Sequence, residues 1–333
     1  MKKILLIALC CLFVFSAGAF AGGSKETGSG EAKKYTLKVS YHKSAEDFVA
    51  QWVKKMGDKI MERTKNGIEV QMFYGAELGS QTDGLQMAAK GTPVMMQFDV
   101  GYLVDYNPDF MAITIPFLVS NYDQVLKLCK SDWYAKMVKI CGDKGVKVFW
   151  QNWHFGSRHI ITNKVISTPA DLRNMKMRVP PSKGQLEMMK ALGAAPATIN
   201  FNEVYTALSQ NVVDGLECPM NEMYSMKFQE VRSNVALTGH IFAYNGLHTS
   251  QQWFDSLPAE YQKIMDDAAW ECGELSSRQI LEEDVTVWRP KLEAEGVKFN
   301  EVQRELFREA CKDVYKTFDF TPGTIEAVRA AIN

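Results

Sequence analysis

Apolar and polar residues alternate through YTLKVSY (35–41), the period of a strand with one buried face. Beyond Ser44 the period changes. Phe48, Trp52, Met56 and Ile60 recur every fourth residue, which predicts a helix starting at Ser44 with Asp47 at the capping-box position. GIEVQMFY (67–74) reads as the next strand, closed by GAELG, and a helix over 82–90 leads into the strand PVMMQF. Strand and helix in alternation predict an α/β domain with a largely parallel sheet. The alternation resumes with a strand over 146–153 and helices over 183–192 and 202–210. From Pro258 to about Glu295 only Gly273 and Pro290 interrupt a helical spacing that runs through Tyr261, Met265, Ala268, Cys272, Leu281 and Trp288. Some 35 residues at 1.5 Å each make about 50 Å, longer than one small domain, so this helix is expected to brace two.

Length and composition agree with two domains. The chain has 333 residues, 46% of them hydrophobic, with 38 Lys and Arg against 39 Asp and Glu. That is globular composition with no basic stripe, which argues against a nucleic-acid binder. The first residues change the picture more. Lys2 and Lys3 precede an apolar run from Ile4 to Phe15, followed by small residues up to Ala21. This is a signal peptide (1–21) with an A-x-A cleavage site, too short to span a bilayer. Its removal leaves 36 basic against 39 acidic residues, a net charge of −3. Residues 22–33, rich in Gly, Ser and charge, read as a flexible lead-in. Five cysteines remain: Cys129, Cys141, Cys218, Cys272 and Cys311. They are scattered and lack C-x-x-C spacing, so they read as buried thiols, with a Cys129–Cys141 bridge left open.

Few patterns carry chemistry. G-x-S-x-G, H-E-x-x-H, EF-hand, P-loop and dinucleotide glycine patterns are all missing, so no metal or cofactor is expected. Cys218 with His240 or His248 is the one pairing that could suggest an exported hydrolase. Two arginines stand out more. Arg158 follows an aromatic strand end, WQNWHFGSR, in which Gly156 is expected to break the strand; Arg178 sits in KMRVPPS, where Met175, Met177 and Val179 alternate and Pro180–Pro181 end the strand. An arginine in an apolar strand is costly to bury unpaired, and its planar fork suits a carboxylate. That carboxylate is either a ligand's or an internal one, such as Asp171 or Glu217. Asp99 ends a strand, where α/β sheets bind ligands, but it could equally cap the next segment. Trp150, Trp153, Phe155 and Phe201 either wall a pocket or fill the core.

The chain also carries GAELGSQTDGLQMAAKG (75–91), IPFL (115–118), GSRHIITNKVISTPADLRNMKMRVPPS (156–182), GAAPATINFNEVYTALSQNVVDGLECP (193–219), TGH (238–240) and WFDSLPAEYQKIMDDAA (253–269). In this order it resembles, over nearly the whole mature length, the substrate-binding proteins of tripartite ATP-independent periplasmic (TRAP) transporters. The resemblance implies a two-lobed clamshell of α/β class with a long helix along both lobes. One lobe would take 34–155 and 244–283, the other 156–243 and 284–333. It implies a periplasmic protein that captures an organic acid anion between the lobes and hands it to a permease of small and large membrane subunits, with no chemistry done on the ligand. Arg178 would pair with the ligand carboxylate, Arg158 would line the same site, Phe201 would pack on the ligand and Asp99 would meet its polar tail. Glu217, Cys218, Trp150, Trp153 and His240 complete the expected ligand-binding set. Two departures matter: Cys218 stands where the family often has Asn, and Pro181 follows R-V-P where Asn is common. Both point toward a less polar pocket and a smaller or more apolar acid. A sensor subunit feeding a membrane kinase would present an identical site.

Overall fold

The computed structural model describes residues 33–333, so the expected signal peptide and almost all of the lead-in lie outside the described residues. Strand β1 (Tyr35–Ser40) buries Leu37 and Val39 against the helix Phe48–Arg63. Asp47 is itself the N-cap of that helix, accepting from the backbone N–H groups of Val49 and Ala50, so the helix starts three residues later than its Ser44 signal suggested. Then come β2 (Ile68–Phe73), the helix Gln81–Ala89 and β3 (Val94–Phe98). Both β2 and β3 pair with β1 in parallel, as a βαβαβ unit requires. Helices Tyr122–Cys129 and Asp132–Asp143 lead to β4 (Val146–Val148).

The expected single strand over 146–153 divides here. A separate strand, β5 (Trp153–Thr162), runs through Gly156 rather than stopping at it. Gly156 lies in a bulge at φ +117°, a conformation that favours glycine, and a Cβ there would come within 2.7 Å of Pro219. Strands β6 (Lys176–Val179) and β7 (Ala195–Thr198) flank the helix Lys183–Ala191, and β8 (Gly215–Cys218) follows the helix Val204–Ser209. After the helix Met220–Ser225 comes β9 (Asn234–Ser250), a 17-residue strand with no alternating pattern to announce it, because nearly all of its second half is buried on both faces.

The strand order is β2-β1-β3-β9-β5-β8-β6-β7, with β4 and β10 (Lys298–Asn300) also paired to β9. The two flanks are parallel, but β9 runs antiparallel to β3, β4 and β5, and β5 antiparallel to β8, so the sheet is mixed rather than largely parallel. Strands β5 and β9 thus form a ribbon shared by both lobes of the fold. One lobe fills its core from β1, β3 and the helices on either side of them, and the other from β6, β8 and the helices Lys183–Ala191 and Val204–Ser209. The long helix is present as Ala259–Glu283, a π-helical turn Asp284–Trp288 and the helix Arg289–Ala294. Its first part packs Met265, Ala268 and Cys272 into the core around β1, while Leu292 lies in the core around β8. The C-terminal helix Thr324–Ile332 returns to the first lobe, where Ile325, Val328 and Ile332 join the core holding Phe110, Val125 and Leu128. The expected division, which gave all of 284–333 to the second lobe, omits that return. Among the described residues no helix is long and apolar enough to cross a membrane.

Candidate functional site

The C-terminal ends of β1, β3 and β6 converge on a cleft lined by Tyr41, His42 and Lys43 after β1, by Asp99 after β3, and by Arg178 and Pro180 from β6. It encloses about 630 Å³ of space outside the protein atoms, part of it open to solvent. Ligands gather at such strand ends because the loops that follow leave room between them. Phe155 and Arg158 from β5, Asn245 from β9 and Phe201 complete the wall together with polar residues of both lobes.

Pattern dictates how Arg178 is held. Met177 and Val179 point into the core under the helix Lys183–Ala191, so the residue between them faces the other way. Arg178 is 2% exposed, and its Nε donates to the Ile199 carbonyl at 2.9 Å. Its guanidinium carbon lies 5.5 Å from the Phe201 ring centre. Among the described residues no acidic side chain pairs with it. Burial and then the nearby Arg158 charge pull its pKa down to about 10, so it stays cationic at neutral pH while lacking a counter-ion.

Arg158 is different. Its Nε and Nη2 donate to the Glu217 carboxylate, and Nη2 also donates to the Glu217 carbonyl at 2.7 Å. Burial works against its charge, but the attraction of Glu217 outweighs it and the pKa rises. Glu217 in turn is brought down to about 2: burial raises it, and the Arg158 charge and the His240 hydrogen bond more than reverse that. His240 reaches Glu217 through Nε2 at 3.2 Å and Thr238 through Nδ1 at 2.7 Å. The internal salt bridge weighed for the two arginines is therefore real for Arg158 and absent for Arg178.

Lys43 carries the third charge. Its Nζ lies 2.5 Å from Glu222 Oε1 and 3.4 Å from Asp47 Oδ2, and Tyr41 donates to Asp47 at 2.7 Å. Burial disfavours the Lys43 ammonium, yet Asp47 and Glu222 raise its pKa overall. Because Lys43 follows β1 and Glu222 lies on the helix after β8, this ion pair joins the two walls of the cleft. The His42 imidazole is held neutral, down at about 3, by burial and by the Lys43 charge. Asp99 accepts from the Gly101 N–H at 2.7 Å, capping the turn after β3, and also lines the cleft. Burial raises its carboxyl above the usual range; the Gly101 hydrogen bond and the Arg158 charge oppose this in part.

Of the nine expected site residues, Arg178, Arg158, Asp99 and Phe201 meet in this cleft. Glu217 and His240 stand behind Arg158, outside the lining, and hold it in place. Cys218 is fully buried in the core with Leu216 and Met223, close enough to both arginines to feel their charges. Burial pushes its thiol well up, away from the thiolate a nucleophile needs. The hydrogen bonds of His240 go to Thr238 and Glu217, and Gln151 meets His248, so the hydrolase pairing is not assembled. Trp153 is a fully buried core residue, and Trp150 packs edge-on against Trp270 at 4.9 Å; neither lines the cleft. Cys129, Cys141, Cys218, Cys272 and Cys311, the cysteines among the described residues, are all free and buried.

Sequence reasoning missed Tyr41, His42, Lys43, Gln97, Gln185, Glu222 and Asn245. The strand-end rule that found Asp99 would also have found His42 and Lys43. Asn245 comes from the antiparallel β9, for which that rule has no counterpart. Gln97 Nε2, Gln185 Oε1 and Asn245 Oδ1 are buried with no hydrogen-bond partner among the described residues. The pocket is thus polar despite Pro181 and Cys218, and the expected shift toward a more apolar ligand is not what its walls display.

Residues 39–320 match the description of bacterial extracellular solute-binding protein, family 7. The sialic acid-binding periplasmic protein SiaP of Vibrio cholerae is 27% identical over 292 residues, 86% of this chain and 89% of that one. A TRAP periplasmic solute-binding protein of Desulfovibrio salexigens, solved in complex with diglycerolphosphate, superposes with a TM-score of 0.86 at 33% identity, covering 90% of this chain and 96% of that one. A second, from Ochrobacterium anthropi with bound L-fuconate, gives 0.86 at 28% identity, covering 90% and 100%. With a two-lobed fold, a cleft between the lobes and a buried arginine that lacks a counter-ion, the chain belongs to family 7 of the bacterial extracellular solute-binding proteins, the solute-binding proteins of TRAP transporters.

Proposed function

We propose that this protein captures an organic acid anion in its cleft and delivers it to a membrane permease of the TRAP type. The observation that carries this reading is Arg178, a buried guanidinium that among the described residues has no acidic partner and gives only its Nε to the protein. A carboxylate can take its remaining N–H groups in the bidentate geometry that only arginine offers. L-fuconate and diglycerolphosphate, the ligands of two solved relatives, are both anions, which supports the same class here. The chain is exported and acts in the periplasm, with the signal peptide removed after about Ala21. Relatives are binding proteins of transport systems, and the buried Cys218 thiol offers no nucleophile for turnover.

Closure follows from the placement of the groups. Lys43 and Asp99 belong to one lobe and Arg178 and Glu222 to the other, so a ligand that touches both binds the closed form better than the open one. The lobes would hinge where the chain crosses between them: at Gly156, near Ala243 and at Asp284. A thermal-shift screen of residues 22–333 against organic acids, sugars and amino acids tests this. Ligand at a hundred times its dissociation constant adds about 2.7 kcal/mol of stability. Hits confined to acids and lost in Arg178→Ala are the expected result; neutral hits, or acid hits that survive the substitution, would refute it.

A further inference from the structure

Among the described residues, the cations around the cleft are each paired with an acid, with one exception. Arg158 is matched by Glu217. Lys43 faces both Asp47 and Glu222, so that set already holds one negative charge in excess. Arg178 alone among these cations has no acidic partner, and one negative charge completes it. Asp99, on the wall contributed by β3, forms no ion pair among the described residues: it feels the Arg158 charge, but Arg158 is committed to Glu217, and the Gly101 N–H bonds to its carboxyl.

We infer that the cleft is built for an acid with a single negative charge and a hydroxylated body, and that Asp99 excludes acids carrying a second ionised group. This rests on the acid-binding reading above and goes further by fixing the ligand's charge. A second carboxylate would be desolvated beside Asp99 or beside the Lys43 set, and neither has positive charge to spare. A hydroxyl meets no such penalty. It donates to Asp99 and exchanges hydrogen bonds with the amides of Gln97, Gln185 and Asn245, whose unpartnered atoms require partners of that kind.

The test is calorimetric titration at pH 7.5 with matched acids that differ only in whether the far carbon is CH2OH or carboxylate. Suitable pairs are glycerate and tartronate, erythronate and meso-tartrate, gluconate and glucarate, and galactonate and galactarate, headed by the tightest acid from the thermal-shift screen and its own diacid. In each pair that binds, the monoacid should be at least tenfold tighter. Asp99→Asn, which keeps the oxygen that accepts from Gly101, should narrow that ratio at least fivefold. A diacid that binds the unaltered protein as tightly as its monoacid overturns the inference whether or not the variant folds. A tenfold ratio that Asp99→Asn leaves unmoved overturns the role of Asp99. If no acid binds at all, the acid-binding reading fails and this inference with it, so the two failures are distinguishable.

Discussion

Arg178 and Arg158 lie twenty residues apart in sequence, feel each other's charge, and have different duties. Arg158 is locked by Glu217, which His240 steadies from behind, so its fork is oriented before any ligand arrives. Arg178 keeps its fork open, with Phe201 against its face. Arg178→Lys should therefore weaken binding of the captured acid at least tenfold while leaving the urea-unfolding midpoint within a few tenths molar, because the charge remains and the planar pair of donors is lost. Titration calorimetry reads the first and circular dichroism the second; undiminished affinity would make Arg178 a structural residue. Much of this site was legible in the sequence, since a strand-borne arginine and a strand-end aspartate announce themselves by residue type and position. Which arginine was paired was not legible. That depends on β8 lying beside β5, with Glu217 opposite Ile160, a pairing between segments more than fifty residues apart.

Among the elements, the long helix was the clearest sequence signal and β9 the most hidden. A helix of this length writes its period into many residues, whereas a strand buried on both faces shows only a run of apolar and small polar residues. The helix changes to π geometry at Asp284–Trp288, where it passes from one lobe's core to the other's. Beside that turn lies the bulge of β5: the Ser157 N–H approaches Asp284 Oδ2 at 3.4 Å, and the Gly156 Cα faces Pro219. π-turns and bulges often mark functional positions, because each leaves a residue out of the regular ladder. Gly156→Ala should destabilise the protein by at least about 1 kcal/mol, since a Cβ meets both a positive φ and a close carbon. Chemical denaturation checks it, and an unchanged midpoint would show that the bulge relaxes without cost.

For the whole molecule, the buried titratable groups set a pH dependence that follows from the fold alone. His42, His154, His159 and His248 are each held down at about 3, chiefly by burial. The unfolded chain takes up protons on these residues near pH 6.5 and the folded chain does not until about 3, so stability is lost as pH falls through that window. Each histidine contributes about 1.4 kcal/mol per pH unit well inside it. Asp284 acts in the opposite direction: burial and Glu283 raise it to about 7, so between 3.8 and 7 the folded state holds a proton that the unfolded state releases, and stability returns as pH falls. Asp99, also raised by burial, acts in the same sense as Asp284, and the four histidines outweigh these two carboxyls. The ligand-free protein should lose several kcal/mol of stability between pH 7 and pH 5 in urea titrations, and a flat profile would contradict the burial of these rings. The two-lobed architecture could be anticipated from the order of motifs, but the return of the C-terminal helix to the first lobe could not, since Ile325, Val328 and Ile332 would suit any apolar groove. The most direct measurement is a crystal structure of the mature protein with the tightest-binding acid from the screen. The account predicts the acid's carboxylate on the free N–H groups of Arg178, its hydroxyls toward Asp99, and both lobes in contact with it. An acid bound outside the cleft, or seated with its carboxylate away from Arg178, would contradict it.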